Sequence, residues 1–231
     1  MASRIHRSAL AFLLLSSAAA AAPATAPVAP LHAPGLDANV LSLAMAAGDC
    51  AERRGLVGPA RRLAVIDYSL PSKQPRMWVF DLAQRQLLYT ELVAHGRGSG
   101  EARATLFSND DGSYRSSLGL FSTAETYVGG NGYSLRMDGL EPGFNDRARE
   151  RAIVMHGAWY VDPALASRTG RLGRSQGCPA VRPQVAHQLI DTLKGGQLVF
   201  AYYPDADWLR HSTLLHCSAP ASRGGSGLGQ P

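Results

Sequence analysis

Arg174-Ser175-Gln176-Gly177-Cys178-Pro179-Ala180-Val181 puts a cysteine directly after a glycine, in a polar turn that leads toward an apolar helical stretch. Each neighbour suits a nucleophilic thiol. Gly177 lets the backbone take a conformation that brings amide hydrogens close to a substrate. The amides of Gly177 and Cys178 are candidates to receive a developing oxyanion. Arg174 and Arg182, with the N-terminus of the helix expected from Pro183, favour thiolate over thiol. An ordinary cysteine titrates near ~8.5, so such help matters at neutral pH.

A thiol nucleophile needs a base, and the chain offers His156-Gly157 at the end of the apolar run 152–155. A histidine on a strand end can accept the thiol proton and return it to a leaving amine. A third group should hold the imidazole, either Ser175 or a backbone carbonyl. Taken singly, a cysteine is usually a small core residue and a histidine usually satisfies local hydrogen bonds. Gln176 can donate a hydrogen bond but cannot act as acid or base. Arg174 and Arg182 suit a substrate rich in carboxylates. Tyr133, Trp159 and Tyr160 either flank a groove or belong to the core. In His95-Gly96-Arg97-Gly98-Ser99-Gly100 the glycines read first as a hairpin turn, with His95 a second choice for the groove. The run lacks the Lys-Ser/Thr ending of a phosphate loop. No His-Glu-x-x-His or paired-cysteine spacing implies a metal, and no cofactor motif is present. His187 falls in the helical stretch and reads as surface.

Working outward, the chain reads as many short strands with few helices. Runs at 63–68, 77–82, 86–94, 118–126, 133–137, 152–156 and 197–203 are rich in β-branched or aromatic residues between turn signals. Residues 37–54 carry apolar residues at helical spacing and end at Gly55, and 183–194 does the same from Pro183 to Gly195-Gly196. A short helix capped by Asn145 is expected at 145–151. The pattern implies a mainly β domain, an antiparallel sandwich or barrel.

The ends differ in kind. Arg4 and Arg7 precede an apolar run at 9–20 and small residues at 18–22, the pattern of a signal peptide over 1–22. That run is shorter than the roughly 20 residues of a membrane span, so no membrane anchor is expected. Residues 23–35 are Ala- and Pro-rich and read as a flexible linker, 36–217 as the folded domain, and 218–231 as a Gly/Ser-rich disordered tail. The formal charge of +5 falls to +3 once Arg4 and Arg7 leave. That mild balance, without basic runs interleaved with aromatics, argues against nucleic acid. Export to the periplasm or cell envelope implies an oxidising compartment. A Cys50–Cys217 bridge that leaves Cys178 free is one arrangement of the three cysteines, and three free thiols is the other.

The pair His156-Gly157 followed by Ser175-x-Gly177-Cys178 resembles the H-G … [ST]-x-G-C signature of the L,D-transpeptidase catalytic domain, the YkuD-type fold. His156-Gly157-Ala158-Trp159-Tyr160-Val161 and Gly173 through Val181 are similar to a divergent, murein-directed branch of that family. So are Val93-Ala94-His95-Gly96, Phe107-Ser108-Asn109, Ser116-Ser117-Leu118-Gly119, Ser134-Leu135 and Gly139-Leu140-Glu141. The resemblance runs from about residue 63 to 203. It implies a β-sandwich with a few short helices and the cysteine at the mouth of a groove. It also implies acyl transfer on peptidoglycan stem peptides: the thiolate attacks the carbonyl of the third stem residue, D-alanine leaves, and an amine or water resolves the thioester. By resemblance Cys178 is the nucleophile, His156 the base, the Gly177 and Cys178 amides the oxyanion site, and Ser175 its support. Gly157, Gln176, Arg174, Arg182, His95 and Tyr133 are the residues expected to meet substrate. Better-known members carry histidine where Gln176 stands, and often arginine or asparagine where Ala180 stands. No peptidoglycan-binding repeat is recognisable. An L,D-carboxypeptidase on the same substrate and an inactive wall-binding protein are the alternatives. A thiol–disulfide enzyme is disfavoured by the lack of C-x-x-C.

Overall fold

The computed structural model describes residues 31–217. The expected signal peptide, most of the linker and the tail lie outside the described residues. The last linker residues are not loose: Ala33 is buried, and the Pro34 carbonyl accepts the Trp78 indole N–H at 3.1 Å.

The domain is mostly β with a few helices. In chain order the elements are α1 (Ala38–Arg53), β1 (Arg62–Asp67), β2 (Met77–Asp81), β3 (Gln86–Glu91), β4 (Val93–Ala94), β5 (Gly119–Gly129), β6 (Gly132–Gly139), β7 (Val154–Gly157), α2 (Pro163–Thr169), β8 (Ala180–Val181), α3 (Pro183–Leu193), β9 (Leu198–Tyr202) and α4 (Ala206–His211). The nine strands form one sheet in the order β3-β2-β1-β9-β5-β6-β7-β8-β4. Most pairs are antiparallel, but β1–β9 and β7–β8 are parallel, which a purely antiparallel reading does not anticipate.

The two outer strands of that order, β3 and β4, are separated in the chain by Leu92 alone. The sheet must therefore roll until its edges nearly meet. This corrects the single strand expected at 86–94: the chain breaks at Leu92 and crosses from one edge to the other. The burial pattern changes at the same place, from alternating exposure in β3 to full burial in β4. Arg182, just after β8, spans the seam with a two-pronged ion pair to the buried Glu91 at 2.7 and 2.9 Å.

The core fills the inside of the rolled sheet. β2 is wholly buried and β1 nearly so, which accounts for their unbroken apolar runs. Trp78, Phe80, Phe200, Ile66, Leu120 and Leu135 are fully buried, and each such side chain contributes about 1.5–3 kcal/mol. α1 packs on β1, β5 and β9. Its buried face includes Ala44, Ala47, Gly48 and Ala51, small enough for close approach. Asp37 caps it by accepting the Asn39 amide at 2.7 Å. α3 covers β7 with Ala186, Leu189, Ile190 and Leu193. A smaller apolar cluster of Leu92, Ala94, Val161, Ala166 and Leu172 lies where α2 meets β4 and β8.

The helix expected at 145–151 is a series of turns. Asn145 is not a cap: its side chain accepts the Glu141 amide at 2.8 Å and donates to the Leu120 carbonyl at 3.0 Å. α2, α4 and β8 were not anticipated. Both helices carry readable signals, Asp162 before Pro163 and Asp205 accepting the Asp207 and Trp208 amides. β8 is only two residues long and has no periodicity to detect. The Cys50–Cys217 bridge is formed and joins α1 to the end of the described chain, while Cys178 is free.

Candidate active site

The Cys178 turn is held between two strands and a buttress. His156 on β7 is paired in register with Ala180 on β8, two residues beyond Cys178. The Val154 amide donates to Cys178 Sγ at 3.4 Å, and the thiol is directed at the Ala152 carbonyl at 3.7 Å. Ala152 holds a left-handed conformation with φ 52°. That costs a non-glycine residue about 1–2 kcal/mol, the kind of strain that gathers at functional sites.

Gly177 has φ 129°, and a Cβ there would lie 2.8 Å from Ile153 Cδ1 and 2.9 Å from the Arg115 carbonyl oxygen. No other residue fits this turn without displacement. The glycine-rich run 95–100 is more than a hairpin. The Ser175 amide donates to the His95 carbonyl at 2.9 Å, and the Arg97 amide donates to the Ser175 carbonyl at 2.8 Å. Ser116 Oγ accepts the Gly96 amide at 3.0 Å and donates to the Gly177 carbonyl at 2.9 Å. A Cβ on Gly96 would stand 2.8 Å from Gly177 Cα. The run is the wall against which the Cys178 turn rests.

Ser175 does not touch the imidazole. Its hydroxyl donates to the Cys178 carbonyl at 2.6 Å and accepts the Gly177 amide at 3.1 Å. The Gly177 amide is therefore occupied, and of the two amides expected to serve an oxyanion only that of Cys178 remains. The imidazole is held by a backbone carbonyl instead: His156 Nδ1 lies 2.9 Å from Gly157 O. A carbonyl only accepts, so Nδ1 carries the proton and Nε2 of the neutral ring is the basic nitrogen.

Cys178 and His156 line one cavity of about 680 Å³ together with Tyr127, Arg151, Tyr160 and Gln176. Both groups are mostly buried, at 8% and 4% exposure. Burial pushes the Cys178 thiol up, against the opposing pull of the Val154 amide and the Arg151 charge. Burial pushes His156 down, against its bond to Gly157. Both shifts favour the neutral forms, thiol and imidazole. Burial also lifts the Tyr160 hydroxyl to about 12, so it stays protonated.

The cation nearest in effect to the thiol is Arg151, which the sequence did not single out. It donates to the Ser108 and Arg115 carbonyls at 2.8 and 2.7 Å, and to Ser117 Oγ at 2.6 Å. Arg174 lines the cavity but is engaged with Glu101 at 2.6 Å. Arg182 lies at the sheet seam on Glu91, away from the cavity lining. Tyr133 is also elsewhere: its hydroxyl donates to Asp191 at 2.7 Å and its ring stacks on exposed His187. Gly157 lies against α3, where a Cβ would meet Ala186 at 2.9 Å. His95 is fully buried behind the turn, 2.7 Å from the Arg76 guanidinium, and burial with that charge lowers it to about 3. Tyr160 lines the cavity, whereas Trp159 is 79% exposed. Among the described residues no three His, Cys, Asp or Glu side chains gather as metal ligands, and no helix is long and apolar enough to cross a membrane.

Solved structures similar to this chain include an L,D-transpeptidase from Mycobacterium smegmatis, at 14% identity and a TM-score of 0.37 over 62% of this chain and 59% of that one. L,D-transpeptidase 3 from Mycobacterium tuberculosis matches at 17% and 0.36, over 62% and 61%. An L,D-transpeptidase from Stackebrandtia nassauensis matches at 14% and 0.34, over 67% and 65%. The chain thus spans about three fifths of the length of the first two, and likenesses this loose carry no argument of their own. No curated protein matches the chain. The family model of the L,D-transpeptidase catalytic domain, however, matches residues 32–202, most of the chain and the whole of the rolled sheet. On that match, the chain belongs to the L,D-transpeptidase catalytic-domain family.

Proposed function

We propose that this protein is a cysteine acyltransferase of the cell envelope that acts on peptidoglycan stem peptides. The observation that carries the reading is that Cys178, in the turn before β8, and His156, on the neighbouring β7, line one cavity, with Nδ1 of the histidine tied to Gly157. His156 Nε2 takes the thiol proton as sulfur attacks the carbonyl of the third stem residue. The new S–C bond forms, the C–N bond breaks, and His156 returns the proton to the departing D-alanine amine. The Cys178 amide and Gln176, both of the cavity lining, stabilise the oxyanion in this reading. Burial favours the neutral form of each partner, so in this reading proton transfer accompanies attack. Arg151 favours the thiolate as it develops. Ser175 and Gly177 set the turn, and Arg174 flanks the substrate path. An amine from another stem, or water, then resolves the thioester. The apolar start of the chain and the Cys50–Cys217 bridge support export to an oxidising compartment.

Intact mass after incubation with a carbapenem tests the nucleophile. A single adduct, lost in Cys178→Ala, is expected. Turnover of a stem tetrapeptide with and without an acceptor amine then separates transpeptidation from hydrolysis. Neither adduct nor turnover, with the protein folded and Cys178 reduced, overturns the reading in favour of a wall-binding protein.

A further inference from the structure

The cavity holds three arginines, and only one is unspent. Arg174 is engaged by Glu101, which also takes Arg171 at 3.0 Å. Arg151 donates to carbonyls and hydroxyls of the 108–117 segment. Arg97 differs. Among the described residues no carboxylate lies within ion-pair reach of it, although Asp111 lines the same cavity. Its guanidinium carbon lies over the Tyr114 ring, 3.9 Å from the ring centroid. A guanidinium held over a ring face still has N–H groups to offer a carboxylate.

The mount is rigid at both ends. The Arg97 amide is bonded to the Ser175 carbonyl at 2.8 Å, three residues from the nucleophile. Tyr114 adopts φ 54°, strained for an aromatic residue, and its carbonyl accepts the Gly98 amide at 2.9 Å. Ring and arginine are thus fastened to each other through the backbone as well as by stacking. An exposed arginine over an aromatic ring, lining the Cys178 cavity with no carboxylate paired to it, is available to a charged ligand.

We propose that Arg97, laid on Tyr114, is the receptor for a carboxylate of the acyl donor, and holds it in the cavity in front of Cys178. The inference rests on the acyl-transfer reading and deepens it: the donor is recognised as an acid and not as its amide. A stem tetrapeptide offers a carboxylate at its C-terminus and others on side chains. The geometry assigns the shared chemistry, and masking each in turn identifies the source.

The test is calorimetric binding to Cys178→Ala protein, with and without Arg97→Gln or Arg97→Lys. The ligands are the free-acid tetrapeptide, its C-terminal carboxamide and its side-chain carboxamides. Arg97→Gln is expected to weaken the free acid about tenfold and to leave one carboxamide unaffected, that carboxamide binding the parent protein as weakly as the variant binds the acid. Arg97→Lys recovers part of the loss. In turnover on the Cys178 protein the loss falls on KM. Equal weakening of every ligand, no weakening, or no binding of any peptide to folded protein overturns the proposal. Binding that behaves as expected while the Cys178 protein turns over no donor leaves the carboxylate site standing and refutes the acyl-transfer reading alone.

Discussion

Cys178 is a thiol whose surroundings work against ionisation. Burial raises it, and the Val154 amide, the Arg151 charge and its own backbone amide pull the other way. Its alkylation by iodoacetamide should therefore keep accelerating with pH beyond the ordinary thiol value of about 8.5. Arg151→Gln should move that profile further alkaline, and Arg151→Lys should restore it in part. A plateau below pH 7 would mean a preformed thiolate and a different mechanism. His156 is shifted in the opposite sense. Its folded value lies below the ordinary ~6.5, so the neutral ring persists into more acid solution. The acid limb of kcat/KM should accordingly fall below pH 6.5. His156→Gln should cost about 10²–10⁴-fold in kcat/KM, since it removes the proton carrier and leaves the cavity in place. Gln176 and Ser175 were both readable as site residues from sequence. What Ser175 does was not, because its bonds to the Cys178 carbonyl and the Gly177 amide depend on how the turn closes.

Among the elements, the end of β3 is tied across the seam to the residue that follows β8. Arg182 and Glu91 bridge it, with Glu91 7% exposed at its side chain and Arg182 32%. Arg182→Met leaves a buried carboxylate without its partner and should destabilise the domain by about 1–2 kcal/mol, less than a fully buried pair because the arginine is partly solvated. Adding Glu91→Met should recover most of the loss in urea unfolding. If the double variant is no more stable than the single one, the pair is not what closes the seam. The arginine was expected at the substrate. Sequence shows its distance from Cys178 along the chain, but β8 turns it to the far side. The strand run 86–94 fails for a related reason: nothing in local propensity says that Leu92 separates two sheet edges.

At the scale of the whole molecule, the Cys50–Cys217 bridge closes a loop of 167 residues. Its loss should cost roughly 2–5 kcal/mol, mostly by freeing the unfolded chain. A Cys50→Ala, Cys217→Ala variant should show a lower unfolding midpoint, while acylation of Cys178 at 25 °C proceeds as before. Slower acylation in the folded variant would show that the bridge supports the cavity and not only the fold. α4 is fastened separately by the buried Glu141, which accepts from Trp208 Nε1 at 3.0 Å and from the Ser212 hydroxyl. Burial raises Glu141, so the folded state favours its protonated form. That group's contribution therefore becomes less favourable as pH rises from the ordinary carboxylate range through its folded value.

The sequence by itself determined the β-rich class, both long helices and the family, and it singled out Cys178 and His156, which the fold brings to one cavity. Those rest on local signals: periodicity, capping residues, and a motif whose glycine has a backbone reason that holds in any context. The tertiary structure decided the rest. It occupied the Gly177 amide, gave the imidazole to a carbonyl, sent Arg182, Tyr133 and His95 away from the cavity, and brought Arg151 and Arg97 to it. Side-chain partners depend on which distant segments a rolled sheet brings together. Arg151 answers to residues 108–117 and Arg97 to Tyr114, and separations along the chain of that size carry no readable period.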